Sequence, residues 1–426
     1  MLAAFGGAYR WTYLPAAIAL SGAAIVVRPA LGASGMRVLD AALAGCLAWG
    51  LVQVIPLPAA FRSWLSPNAA RVDALLRFDG GADTARTLSI DASSTWDGVA
   101  IAALAVAMFV VAREVCARHG TRGLVRVIAW TGLAISVAAV FFATSSPGYV
   151  YGLWFPDERA RPYGPFVNRN HMGTWLVMAL PLVAGYLFSR FDDRGRRSLA
   201  AAIDARMIWL LGSAAAMLVA VIASLSRSTA VGVVAGGAVV TVAAARHGGR
   251  ALIGLIAAVA AVVAIAVTNP RTADLSRRFE GSGTAAAWTR DRIWRETIPM
   301  VTDFPVTGTG IGTYATGMLV YQRSDRALFF NQAHNHYLQI AAEGGLVLVA
   351  LLLTAAITYG RTLARLLRRD RTPMFWIRVG AAAGMGAALV QSVWETGLRL
   401  PANALLFAAL AAIAVHGLPP HRSRTV

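Results

Sequence analysis

Apolar runs of membrane-spanning length recur along the whole chain, and no other feature constrains its fold as strongly. They fall at about 11–27, 38–57, 97–112, 125–144, 171–189, 207–224, 229–245, 250–268, 345–360, 374–392 and 401–417. A helix needs about 20 mostly apolar residues to cross a hydrocarbon layer about 30 Å thick. Inside that layer no water satisfies a bare backbone, so each run is expected to be helical. Charged residues make up 14% of the chain against 57% hydrophobic, where soluble domains carry about a quarter charged. The expected fold class is an all-α polytopic membrane protein, a single bundle over residues 1–426 with about 11–12 transmembrane helices.

A net charge of +18 would point to nucleic acid in a soluble protein. Here the basic residues, all 39 of them arginine, fall mainly in short connections between spans, which is the positive-inside pattern. Nucleic acid is therefore not an expected partner, and membrane lipids are. The Arg-dense segments 113–126, 190–206, 246–250 and 361–373 read as cytoplasmic. By alternation the segments 58–96, 145–170 and a large loop over 269–344 lie outside. Eleven spans with the C-terminus inside leave the N-terminus outside, which Arg10 opposes, and the first run reads as a retained span. Cys46 and Cys116 have neither disulfide nor metal spacing, and no cofactor is expected.

Polar and ionisable residues gather where the external segments meet the spans. Arg161-Pro162-Tyr163-Gly164-Pro165-Phe166-Val167-Asn168-Arg169-Asn170-His171 is an ordered turn leading into a helix. Asn168 or Asn170 can simply cap that helix. A guanidinium beside a helix N-terminus also makes an anion site, suited to a diphosphate. Ser224-Leu225-Ser226-Arg227-Ser228-Thr229 is a short polar break between two spans. It puts Arg227 at the membrane boundary, where a charge is either snorkelling or functional. Arg290 and Trp294 precede Gly308-Thr309-Gly310-Ile311-Gly312 and Tyr314. That glycine cluster follows no strand and is not a nucleotide loop; it lets the backbone turn tightly over the bundle.

His334-Asn335-His336-Tyr337-Leu338-Gln339, with Glu343, is the most reactive stretch in a chain with 7 histidines. A helix starting near His334 would disfavour imidazolium and keep a neutral base available. His336 and Glu343 are seven residues apart and share a helix face, so Glu343 is expected to orient His336 and leave His334 free for substrate. Helix capping is the plain alternative, and zinc would need a third ligand that is not evident. Glu395, in Trp394-Glu395-Thr396-Gly397-Leu398-Arg399-Leu400-Pro401-Ala402-Asn403, is a carboxylate suited to pairing with an arginine or orienting a histidine, and a plain turn accounts for it equally.

Taken in order, these segments resemble the O-antigen ligase and polymerase superfamily of bacterial envelope glycosyltransferases. The pieces are Gly-Pro-Phe-Val-Asn-Arg-Asn-His at 164–171, Ser-x-Ser-Arg ending at Arg227, Arg290-x3-Trp294 leading to the glycines and Tyr314, His334-Asn335-His336-Tyr337-Leu338 with Glu343-Gly344, and Leu400-Pro401-Ala402-Asn403. The resemblance implies a GT-C-like bundle in the bacterial inner membrane. It also implies metal-independent transfer, on the periplasmic face, of a glycan from undecaprenyl diphosphate to an acceptor hydroxyl. On that basis His334 is the candidate base with His336 in reserve, and Glu395 orients. Arg161, Arg227 and Arg290 meet the diphosphate, while Asn168, Asn170, Trp294, Tyr314, Asn335 and Glu343 shape the substrate loop. Ligation to lipid A core is the expected reaction, and polymerisation onto a growing polysaccharide is the alternative. A transporter or flippase for the same lipid-linked sugar is the rival of another class, for which ionisable residues should sit at mid-span.

Overall fold

The computed structural model describes residues 1–29, 36–76, 86–156, 161–193, 204–246, 283–324 and 329–417. The chain is an all-α polytopic membrane protein: eight helices among the described residues are long and apolar enough to cross a membrane. In order the helices are α1 (Tyr13–Val27), α2 (Arg37–Gln53), α3 (Ala59–Leu65), α4 (Ala69–Leu76), α5 (Ala92–His119), α6 (Arg122–Ser145) and α7 (Arg169–Asp193). Then come α8 (Ala205–Ala223), α9 (Arg227–Arg246), α10 (Gly283–Asp303), α11 (Tyr314–Tyr321), α12 (His336–Arg369), α13 (Met374–Gln391) and α14 (Pro401–Ala414). The expected runs 38–57 and 401–417 become the shorter α2, 17 residues, and α14, 14 residues. The expected span at 250–268 lies outside the described residues.

Local chemistry sets the helix starts. Asp91, Asp204 and Asn335 each accept a hydrogen bond from a backbone N–H three residues on, capping α5, α8 and α12. Between spans, lipid is as apolar as leucine and supplies no hydrophobic drive, so close approach of small residues holds helices together. The α7–α13 seam shows this: a Cβ on Gly380 would lie 2.4 Å from the Pro181 carbonyl oxygen, and one on Gly384 2.3 Å from that of Met178.

The bundle has two unlike ends. One gathers the arginine-dense turns joining α5 to α6 and α12 to α13, where the buried Arg378 ties Asp370 to the C-terminal carbonyls of α14. The other end gathers the starts of α7, α9, α12 and α14. The N-terminal residues lie at this second end, with Gly6 against Phe166 and Leu400. α9 closes at the first end, and the chain is next described from Gly283 at the second.

Over the second end stands a smaller core built from α4, α10, α11 and the first turns of α12: Val72, Ile293, Met300, Phe304, Tyr314, Met318 and Ala342. It is braced by Asp73, buried between Arg62 at 2.9 Å and Arg86 at 3.0 Å. Segments expected as external loops thus contain four helices. A further difference concerns α12, which is not one straight rod from His336. Gly345 takes φ 61°, ψ −167° and breaks it. The backbone N–H of Leu346 bonds to Pro305 rather than to its own helix. The histidine-bearing turns therefore belong to the small core, and the span proper starts after Gly345.

The glycine turn is fastened to this break. Gln53, fully buried at the end of α2, donates to the carbonyls of Thr307 and Glu343 and accepts from the Ile311 N–H. A Cβ on Gly308, at φ 65°, would lie 2.3 Å from the Glu343 backbone. Gly308→Ala is expected to destabilise the protein by about 2–4 kcal/mol, through the left-handed conformation and the collision together. Thermal unfolding in detergent reads this, with Gly360→Ala as the control: it is helical and has open space around it.

Candidate functional site

Glu395 lies between α13 and α14 with 2% of its side chain exposed. Its Oε1 accepts from Arg290 Nη2 at 2.8 Å, from Asn170 Nδ2 at 2.8 Å and from the Ser228 hydroxyl at 3.5 Å. One oxygen thereby joins three segments that are far apart in the chain. Around it, Ser226 Oγ donates to Asn170 Oδ1 at 2.8 Å, Gln391 Nε2 donates to Ser228, and Asn168 Oδ1 caps α7 through the Asn170 N–H. Burial pushes the Glu395 carboxyl up to about 7, with the Arg290 charge opposing that rise.

His334 stands just before α12 in the left-handed region, φ 48°, a conformation worth about 1–3 kcal/mol of strain for a residue with a Cβ. Its neighbours hold it there. Ala333 donates its N–H to Gln339 Oε1 and accepts from Trp294 Nε1 at 2.9 Å. Asn335 caps α12, and the His336 N–H reaches the Ser392 carbonyl at 2.8 Å. Gln332 bonds Thr396, the residue after Glu395. The Nδ1 atoms of His334 and His336 are buried without a hydrogen-bond partner. Burial, with the Arg290 charge second, lowers the His334 imidazole to about 4. Its ring is therefore neutral at neutral pH.

The helix starts give this end its field. α7 enters through Asn168, α9 through Ser226, α12 through Asn335, and α14 begins at Pro401, where Asn403 bonds the carbonyls of His171 and Gly397. Each N-terminus carries roughly half a positive charge, and Arg169, Arg227 and Arg290 add full ones. Glu395 is the resident anion at the meeting point. The arrangement suits a second, larger anion beside a neutral base.

The candidates read from the sequence distribute unevenly around this centre. Asn170, Arg290, Glu395 and, through Ser226 and Ser228, the Arg227 turn are joined directly. Arg227 itself is exposed at the first position of α9. Arg161 is at the base of the 161–168 turn, its carbonyl accepting the Arg169 N–H at 2.8 Å. Trp294, Asn168 and Asn335 position the backbone around the site.

Glu343 and Tyr314 do something else. The Glu343 carboxylate accepts from the Gly312 and Tyr314 N–H groups and from Gln339 Nε2, and Arg399 Nη2 is 3.4 Å away. It fastens the glycine turn instead of orienting His336: the two share a face, but seven residues of helix set them about 10 Å apart along the axis, and the Gly312 and Tyr314 N–H groups are at hand. Tyr314 is fully buried against Thr297. Glu395 serves Arg290 and not an imidazole. Sequence reading took Ser226 and Ser228 only as part of the polar break around Arg227, and passed over Gln391 and Gln53. The signal for the two glutamines was present: each is an amide closing an apolar run, where it must find partners.

The O-Antigen ligase family model matches residues 212–353. Among curated proteins none matches the chain. The matched segment holds Arg227, Arg290, Trp294, the glycine turn, His334 and Glu343, while Asn170 and Glu395 reach the same site from outside it.

Proposed function

With an O-antigen ligase family domain across residues 212–353, which supports membership of the O-antigen ligase and polymerase superfamily, we propose that this chain is a glycosyltransferase of the bacterial inner membrane. It moves a glycan from undecaprenyl diphosphate to an acceptor hydroxyl at the periplasmic face, with lipid A core as acceptor. The observation that carries this reading is one juxtaposition at one end of the bundle: a buried, neutral imidazole, His334, beside Arg290 and a convergence of helix N-termini. The arginine-dense turns occupy the opposite end, and under the positive-inside rule this supports a site facing away from the cytoplasm.

The chemistry needs little else. The acceptor hydroxyl oxygen forms a bond to the anomeric carbon and His334 takes its proton. The bond from that carbon to the diphosphate breaks, with its electron pair leaving on the diphosphate oxygen. The base contributes general catalysis, and the cations meet charge that develops on the leaving oxygen. Arg290 is the best placed of them, with Arg161 and Arg227 completing the anion site. A His334 imidazole held to about 4 partly by Arg290 becomes a stronger base once a diphosphate neutralises that guanidinium. Donor binding thus prepares the base.

The test is turnover of purified protein in detergent with an undecaprenyl-diphosphate oligosaccharide. Lipid A core is supplied in one reaction and excess donor alone in another, both with EDTA present. Glycan joined to lipid A core is the expected product. Elongated lipid-linked glycan would make the enzyme a polymerase, and no product from either acceptor would overturn the transferase reading. Full activity in EDTA is expected, since guanidinium groups and helix termini meet the diphosphate charge.

A further inference from the structure

The donor reading gives the diphosphate a claim on Arg290, yet Arg290 is already engaged by Glu395 at 2.8 Å. We infer that Glu395 couples donor binding to the uptake of one proton: the carboxylate that holds Arg290 in this structure becomes a carboxylic acid when a lipid diphosphate takes that arginine. This rests on the donor reading above.

Three observations support it. Arg290 is one-third exposed while Glu395 is 2% exposed, so an incoming anion can reach the arginine's outer edge while the carboxylate stays shut in. A diphosphate bonded to that guanidinium would stand within about 4–6 Å of the carboxylate, the range in which like charges strongly oppose joint ionisation. Lastly, the bonds from Arg290, Asn170 and Ser228 all fall on Oε1. A proton on Oε2 therefore displaces none of them, and the acid keeps its place.

Charged and titratable groups reach this neighbourhood from each surrounding element. They are Arg169 and His171 on α7, Arg227 on α9, Arg290 on α10, and His334 and His336 at the start of α12. Arg399, three residues on from Thr396, faces Glu343. Only Gln391 and Ser392 come from the end of α13. The arginines stay charged throughout, and imidazoles with an ordinary value of about 6.5 are neutral at pH 8. Glu395, raised by burial to about 7, is the group that titrates in this window. The proton comes from solvent: carboxylate plus proton gives the acid, and the site's net charge falls by one unit less than the donor brings.

The sign follows from linkage. Below about pH 7 Glu395 is already largely protonated and donor binding takes up nothing. Above it the carboxylate is ionised, and a donor that raises its affinity for protons binds about tenfold more weakly for each added pH unit. The donor, a diphosphate diester, does not titrate there. The test is calorimetry of the full-length protein with undecaprenyl-diphosphate-linked N-acetylglucosamine at pH 8, in HEPES and in Tris, whose ionisation heats differ. Close to one proton per donor is expected for wild type and for His334→Asn, and none for Glu395→Gln. Between pH 7.5 and 8.5 the wild-type Kd should rise about tenfold, and that of E395Q should stay level.

Donor binding that depends on Arg290 but takes up no proton overturns the inference and leaves the donor reading standing. Donor binding indifferent to Arg290 overturns both. Should E395Q fail to fold, Ser228→Ala removes one hydrogen bond to the carboxylate and is expected to move the midpoint of the Kd profile to higher pH. A midpoint that stays in place overturns the proposal.

Discussion

Replacing His334 by asparagine or alanine is expected to lower turnover by about 10²–10⁴-fold, the usual contribution of a positioned general base, while donor affinity stays at the wild-type level. Two features separate chemistry from folding in this experiment. Nδ1 of the ring is buried and unbonded, so its removal orphans no partner, and Trp294, Gln339 and Asn335 hold the loop through backbone atoms and not through the imidazole. Asparagine also adopts the left-handed backbone conformation more readily than other residues with a Cβ. His334→Asn should therefore fold at least as well as His334→Ala and be equally inactive. An asparagine variant with full turnover would remove His334 from the base role. His336→Asn is the companion measurement, and its turnover shows whether the second imidazole shares the proton.

Replacing Arg290 by alanine carries the second large effect, and it falls on the donor. A preorganised donor aimed at developing charge is worth about 10²–10³-fold in rate, so kcat/KM for the lipid-linked glycan should drop by that much with donor affinity weakened. Arg290→Lys should recover only part, since an ammonium retains the charge but not the planar fork. The substitution also leaves Glu395 buried with its strongest partner gone. Breaking a fully buried pair costs about 3–5 kcal/mol, and the loss here should be smaller because Arg290 is one-third exposed. The double variant Arg290→Ala/Glu395→Gln should regain thermal stability relative to Arg290→Ala and regain no activity. Parallel recovery of both would mean that the arginine acts only through the fold.

Much of the architecture was legible because membrane helices announce themselves by length and apolarity, and the solvent inside a bilayer permits little else. The polar segments at 161–171, 224–229, 290–294, 334–339 and 395–403 were legible as unusual for the same reason: charge and amide groups at span ends are costly unless they have partners. The sequence was silent on which partner each one takes. Glu395 was compatible with an arginine or a histidine, and the packing of α7, α9 and α10 around the α13–α14 connection chose Arg290. Glu343 looked like an orienting acid seven residues from His336, an inference that counted the shared face and not the two turns, about 10 Å along the axis, between them. Packing of the glycine turn against this face gives the carboxylate to the Gly312 and Tyr314 N–H groups.

By itself the sequence determined that this is an all-α membrane bundle with its reactive residues at span ends, since hydropathy is a property of consecutive residues and needs no tertiary contact. It also supplied the resemblance, which the match of the O-Antigen ligase family model to residues 212–353 supports. Only the tertiary structure decided that the histidine turn belongs to a small core set over the bundle, and that Asn170, Ser228 and Arg290 share one carboxylate oxygen. Those facts depend on where a helix breaks and on which ends meet. Pairwise distances between segments up to 225 residues apart are fixed by packing and not by any local pattern.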